Sequence, residues 1–162
     1  MRAELDFEEF ASATSDRFFR TAYAITRDPE LAEDAVRSAL AAAYSRWRKV
    51  SADAPEAYVR RMIVNEILGR RRPATRPAEA PVRRYVASPE QRVVDTDAVW
   101  TALLELPVGQ RAIIVLRYYE RLGEDEIATT LGIRPETITD ETSVALANLR
   151  RLLTASRQGA RA

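Results

Sequence analysis

The sequence predicts an all-α chain of two small helical domains joined by a linker expected to be flexible. Apolar residues recur at i, i+3, i+4 and i+7 through both halves of the chain, the spacing of an amphipathic helix. The composition leans on Ala, Leu, Arg and Glu, residues that lose little on entering a helix. Between the halves, residues 73–94 hold four of the eight prolines and have no clear period. The expected division is 1–72, a Pro- and Arg-containing linker at 73–94, and 95–162. Hydrophobic residues make up 46% of the 162, enough to build a core in each half.

The first helix is expected from about Asp6 to Thr26, with Phe7, Phe10, Ala11, Phe18, Ala22 and Ile25 near one face. "RDPE" ends it, because Asp28 is a good N-cap and Pro29 suits the first position of a new helix. That second helix should reach about Val50, since Val36, Ala39, Leu40, Ala43, Trp47 and Val50 keep the spacing. "SADAP" breaks the chain, and Pro55 opens a third helix to about Arg72 with Val59, Met62, Ile63 and Ile67 inward. In the second half, Val99, Trp100, Leu103 and Leu104 mark a helix that ends at Pro107. "VGQRAIIVLRYYER" is apolar through its centre and should be well buried. "GEDEIATTLG" is a short helix closed by Gly132, and a last helix opens at Pro135 and can run to about Arg157.

Several function classes are excluded or disfavoured. The chain has no Cys and no His, which removes disulfides, thiolate metal sites, the commonest zinc ligand and the commonest general base. No metal or cofactor is expected, and an enzyme is not. No run of about 18 apolar residues is present, so no membrane span is expected. "MRAELDFEEF" is acidic and has no apolar stretch of the secretory kind, so a cytoplasmic location is expected.

Charge is unevenly spread. Residues 1–72 hold 13 Arg/Lys and 12 Asp/Glu, residues 73–94 four Arg and two Glu, and residues 95–162 eight Arg and ten acids. The basic excess therefore lies at the end of the first half and in the linker. Arg61, Asn65 and Arg72 fall within roughly 40° of one another on the third helix, opposite its apolar arc and flanked by Arg60 and Arg71. Cations on one face beside planar groups suit single-stranded nucleic acid. Arg60, Arg61, Asn65, Arg70, Arg71 and Arg72 supply the charge and hydrogen bonds, and Tyr58 and Trp47 are the nearby aromatics. Trp47 also fits the apolar stripe and so can equally belong to the core, and the arginines can equally form a solvated face.

The second half carries the spacing of a helix-turn-helix. A small residue, Ala128, is followed four positions on by Gly132, and Gly132 six positions on by the apolar Ile138, which anchors the second helix. Ile127, Leu131, Leu146 and Leu149 can complete its core. The same spacing also describes any two helices packed around a glycine C-cap.

"LAEDAVRSALAAAYSRW", "PEAYVRRMIVN…RRR" and "ALLELPVGQRAIIVLRYYERLGEDEIATTLGI", in this order around a proline-rich connector, resemble a bacterial sigma factor of the extracytoplasmic-function (ECF) group, the SigE-like actinobacterial members in particular. The likeness spans about residues 5 to 157. It implies a region two that binds a coiled coil of the RNA polymerase β′ subunit and melts the −10 promoter element. It implies a region four that contacts the β flap and reads the −35 element. The linker is implied to thread through polymerase. Core RNA polymerase and promoter DNA are then the partners, an anti-sigma factor is a further one, and the free chain is expected to be a monomer.

Carried over by position, polymerase binding falls to Glu33, Asp34 and Arg37, where Ala32, Glu33, Asp34 and Val36 match the family wording. Arg37 and Ser38 depart from the family's usual Gln and acid. The −10 contacts fall to Arg60, Arg61, Asn65 and Arg70 to Arg72, and the −35 contacts to Arg134, Thr137, Thr139 and Ser143. Here the sequence departs most from its family. Thr139 stands where Lys is common, Asp140 where Ser is, and Glu141 where Arg is. From Gly123 to Leu149 one Arg faces six acids, a net charge of −5. Duplex affinity rests largely on neutralised phosphates, so this surface should repel DNA over about 10 Å at physiological salt. Acids early in a helix also stabilise it by roughly 0.3–1 kcal/mol each, so the helix itself should form. A sigma-like interaction protein, docking a basic partner through an acidic region four, is the alternative reading. A helix-turn-helix regulator acting without polymerase ranks last, because it explains neither "AEDAV" nor the arginine helix.

Overall fold

The computed structural model of the protein describes residues 6–69 and 96–159, which among them are helical with no strand. The linker at 73–94 and the three arginines at 70, 71 and 72 lie outside the described residues.

In the first half, α1 spans Phe7–Thr26, and the Asp6 side chain accepts a hydrogen bond from the Glu8 N–H at 3.2 Å. It stops where Arg27 enters the left-handed region at φ 53°, its N–H donating to the Tyr23 carbonyl at 2.8 Å. Asp28 then caps α2 (Pro29–Ser45), accepting from the Glu30 and Leu31 N–H groups at 2.9 and 3.2 Å. Replacing Asp28 with Ala is expected to lower stability by about 1 kcal/mol, read as a shift in the denaturant midpoint; a shift within error would remove this cap from the account.

The helix expected to continue to Val50 instead breaks at Arg46 (φ −126°, ψ 22°) and restarts as the single turn α3, Trp47–Val50. The break lets Trp47 reach the rings of Phe7 and Phe10 at 5.2 and 5.0 Å. Trp47 is thus a packing residue, and of the two aromatics considered for stacking bases only Tyr58 stands beside the basic face. Helix α4 spans Pro55–Gly69 and buries Val59, Ile63, Val64 and Ile67.

In the second half, α5 (Thr96–Glu105) and α6 (Val108–Ile114) are joined at Pro107, and α6 runs on into a π turn at Val115–Tyr119. Leu104, expected on the apolar face of α5, projects outward and is 45% exposed, while Leu103 is buried. Helix α7 (Glu124–Leu131) and helix α8 (Pro135–Gly159) form the helix-turn-helix. Gly132 sits at φ 70°, and the N–H groups of Gly132 and Ile133 both donate to the Ala128 carbonyl. The left-handed turn is why glycine is needed at this position. Ile127 and Ile138 are fully buried, and Ala128 nearly so.

The two halves share one core. Phe10, Phe18, Ile25, Val36, Val59 and Ile63 of the first half form a continuous buried cluster with Val115, Leu116, Ile127 and Ile138 of the second. A smaller cluster of Leu103, Leu106, Ile114 and Ala145 holds α5, α6 and α8 together. Along the seam, α7 packs on α4 and the π turn packs on α1.

Candidate nucleic-acid interface

Three surfaces carry the residues singled out in the sequence. The first lies on α2. Burial of Ala32, Ala35, Val36 and Ala39 fixes the rotation of this helix and leaves Glu33 and Arg37 outward. A cleft between α1 and α2 is walled by Phe19, Val36 and Leu40 and rimmed by Ser15, Asp16, Glu33 and Arg37. Arg37 pairs with Glu33 at 3.0 Å and with Asp34 at 3.6 Å. Arg37 and Glu33 are 68% and 65% exposed, so the pair adds at most about 0.5 kcal/mol to stability. Its main effect is on charge: the guanidinium offsets the acids that a cationic partner would meet.

The second surface lies on α4. Its inward arc is set by Val59, Ile63 and Ile67, which turns Arg61 and Asn65 to solvent one turn apart. The Arg61 guanidinium lies 5.9 Å from the Tyr58 ring centroid, so a cation and a half-buried aromatic stand together. Arg60 does not share that face. It is one residue, about 100°, further round the helix, and its side chain is only 13% exposed. There it pairs with Glu120, itself 10% exposed, across the seam at 3.7 Å. Arg70, Arg71 and Arg72 lie outside the described residues.

The third surface is the helix-turn-helix. Arg134, Thr137, Thr139 and Ser143 are all exposed, so the family's reading positions face outward. The hydroxyls are partly committed, however. Thr139 donates to the Glu124 carboxylate at 3.1 Å, and Ser143 donates to the Thr139 carbonyl at 3.0 Å. Asp140 and Glu141 are exposed beside them. Glu126 reaches back to the Gly123 N–H at 2.9 Å, closing the start of α7. Two of the six acids, Glu124 and Glu126, therefore have structural tasks.

Sequence reasoning missed the residues that join the halves. Arg111 is buried midway along α6. It donates to the carbonyls of Leu103, Leu104 and Leu106 at 2.7, 2.9 and 3.0 Å and to that of Ile25 at 2.6 Å. These are carbonyls at the C-terminal ends of α5 and α1, where a cation also meets the negative end of each helix dipole. Burial, with the Arg27 charge nearby, lowers the guanidinium pKa from its usual value. The Arg27 guanidinium sits between the rings of Tyr23, at 4.7 Å, and Trp100, at 4.8 Å. Trp100 belongs to α5, so this stack also crosses the seam. Glu120 accepts from the Thr21 hydroxyl as well as pairing with Arg60. The one sequence signal for Arg111 is that it stands alone as a charge at the head of a run of apolar residues.

Among the described residues, no group of acidic side chains is placed to hold a metal ion, and no helix is long and apolar enough to cross a membrane.

The chain matches two family models in the order its sequence motifs take: Sigma-70 region 2 over residues 10–76 and Sigma-70 region 4 over residues 96–149. It is 32% identical over 163 residues to the RNA polymerase sigma-E factor of Streptomyces coelicolor, an alignment covering 98% of this chain and 92% of that one. It is 33% identical over 151 residues to the sigma-E factor of Streptomyces antibioticus, covering 90% and 83%. It is 30% identical over 150 residues to the ECF RNA polymerase sigma factor SigM of Mycobacterium tuberculosis, covering 91% and 76%. Among solved structures, the fold is similar to RpoE in its complex with the anti-sigma factor NepR from Bartonella quintana, at a TM-score of 0.74 and 20% identity, covering 92% of this chain and 97% of that one. It is also similar to CnrH in complex with the cytosolic domain of CnrY, at a TM-score of 0.66 and 19% identity, covering 92% and 88%. With both sigma regions in order and sigma-E relatives matched over nearly their whole length, the chain belongs to the ECF RNA polymerase sigma factors, in the SigE-like group.

Proposed function

We propose that this sigma factor directs initiation mainly through residues 1–72, with its second half, 95–162, serving polymerase attachment more than −35 affinity. It is a non-enzymatic subunit that acts in the cytoplasm with core RNA polymerase on promoter DNA. Glu33, Asp34 and Arg37, beside the α1–α2 cleft, meet the β′ coiled coil. Arg61 and Asn65, continued by Arg70, Arg71 and Arg72, meet the single-stranded −10 element, with Tyr58 as the stacking platform. The observation that carries the reading is the net charge of −5 over Gly123–Leu149, set against an exposed basic face on α4. The sigma factor RpoE of similar fold is bound by the anti-sigma factor NepR in its solved complex, and an anti-sigma factor is a partner for this chain as well.

The full chain mixed with core polymerase should co-elute with it and start transcripts from a genomic promoter library. No co-elution would sink the polymerase reading. Co-elution without initiation would favour the interaction protein that docks a basic partner through the acidic helix-turn-helix. In the holoenzyme, replacing Arg61 and Asn65 together with Ala should weaken binding to a single-stranded −10-type oligonucleotide by about tenfold or more, since each lost contact is worth about 1 kcal/mol or more. Unchanged affinity would take the exposed face of α4 out of the site.

A further inference from the structure

We propose that α8 pairs, antiparallel, with the α8 of a second copy of this chain through its outward face. The proposal does not depend on how α4 is read. Residues 135–149 of α8 hold three acids and no base, and residues 150–159 hold three arginines and no acid. Acids near a helix N-terminus and cations near its C-terminus suit the helix's own dipole, which accounts for their order along the axis. It does not account for the side they take. Glu136, Asp140, Arg150 and Arg157 fall within an arc of about 100°. Ser143, Ala147 and Thr154 lie in the same arc and join them into one stripe at steps of three and four residues. The whole stripe is exposed, opposite the buried Ile138 and Ala145.

These charges have no partner within the chain. Among the described residues, no ion pair engages Glu136, Asp140, Arg150 or Arg157. They cannot pair along α8 either, because acid and arginine on the stripe stand at least ten residues, about 15 Å, apart. A parallel second helix would set like charges opposite each other. An antiparallel one sets unlike charges opposite, and two-fold symmetry repeats each pairing at both ends. With Ser143 of one copy facing Ala147 of the other, Asp140 faces Arg150. Glu136 then faces Thr154, with Arg150 and Arg157 of the second copy one turn to either side. The middle of the contact is Ser143 and Ala147, small enough for the helix axes to approach to about 8 Å.

The contact runs over residues 136–154, about 28 Å of helix, and falls in the class of weak interfaces under about 1,200 Å². Its ion pairs stay near solvent, where each adds little. The dilute chain is therefore a monomer, and the pair forms as concentration rises. Pairing covers Ser143 and runs beside Thr139, so it and any −35 contact by this face exclude one another.

Sedimentation equilibrium of the full chain at about 0.05 M salt should give a monomer–dimer dissociation constant near 100 µM, weakened at least about fivefold at 0.5 M salt. Two charge-reversed chains test the orientation. Glu136→Arg with Asp140→Arg makes the stripe basic throughout, and Arg150→Glu with Arg157→Glu makes it acidic throughout. Each alone should be monomeric with unchanged helical circular dichroism, and an equimolar mixture should pair at least as tightly as the parent. If a reversed chain does not fold, the lack of native cysteine gives a second measurement. Ser143→Cys and Ala147→Cys chains, mixed and mildly oxidised, should cross-link faster than Ser143→Cys mixed with Ser156→Cys. A parent chain that is monomeric to about 0.5 mM overturns the pair, whether its stripe is then vacant or taken by a −35-type duplex in an anisotropy titration. Reversed chains that still dimerise alone, a mixture that does not associate, or equal cross-linking at residues 147 and 156 overturn it as well.

Discussion

Replacing Arg111 with Met should cost about 3–5 kcal/mol of unfolding free energy, a large part of the 5–15 kcal/mol typical of a chain this size. Methionine fills much of the same volume but offers no donor. The carbonyls of Leu104, Leu106 and Ile25 would then lose their guanidinium donor, and that of Leu103 would keep only the Leu106 N–H at 3.2 Å. These acceptors lie at helix C-termini, where the intrahelical donors run out. Arg111→Lys should do better than Met but worse than the parent. It keeps the charge and loses the planar fork that reaches both helix ends at once. The midpoint of urea unfolding at constant m-value reads the effect; a midpoint for Arg111→Met within 0.2 M of the parent's would refute it, given slopes of about 1–3 kcal/mol per molar for small proteins.

Rewriting the recognition helix toward the family wording should raise duplex affinity well above that of the native chain. Thr139→Lys, Asp140→Ser and Glu141→Arg together move the charge of 123–149 from −5 to −1. All three positions are exposed, so the fold need not adjust. The position of Thr139 faces Glu124, so part of a lysine's charge would be spent there. The removal of two acids and the new arginine carry the rest. Binding of the full chain to a −35-type duplex should tighten by about 100-fold near 0.15 M salt, and the slope of log K against log salt should steepen by about one to two units. Anisotropy titrations across a salt series measure both quantities. If affinity rises without a steeper slope, phosphate neutralisation is the wrong explanation for the native helix.

The sequence made some parts of this molecule plain for local reasons. Asp28 and Pro29 mark the start of α2 because a cap and a fixed φ act within one turn. Gly132 marks the helix-turn-helix because only a left-handed residue closes α7 in that way, and Ala128 and Ile138 confirm its spacing by their burial. What the sequence hid depends on partners distant in the chain. Arg60 and Arg61 are neighbours with the same side chain, and a 100° step sends one to the seam and the other to solvent. Periodicity told that Trp47 is apolar-facing but not that the helix must break at Arg46 to bring it onto Phe7 and Phe10. The seam is largely apolar, and its guanidiniums mostly meet carbonyls and rings instead of the acids of the helix-turn-helix.

The core that runs unbroken through both halves ties any parting of the halves to the packing of residues buried between them. If only the parted form binds core enzyme productively, the apparent dissociation constant is the intrinsic one divided by the parted fraction. A seam that favours closure by about 2.7 kcal/mol leaves roughly one chain in a hundred competent and weakens apparent binding about 100-fold. A conservative change inside that core, such as Ile127→Val, then acts as a dial on transcription output, with the direct contacts to polymerase and to DNA left as they are.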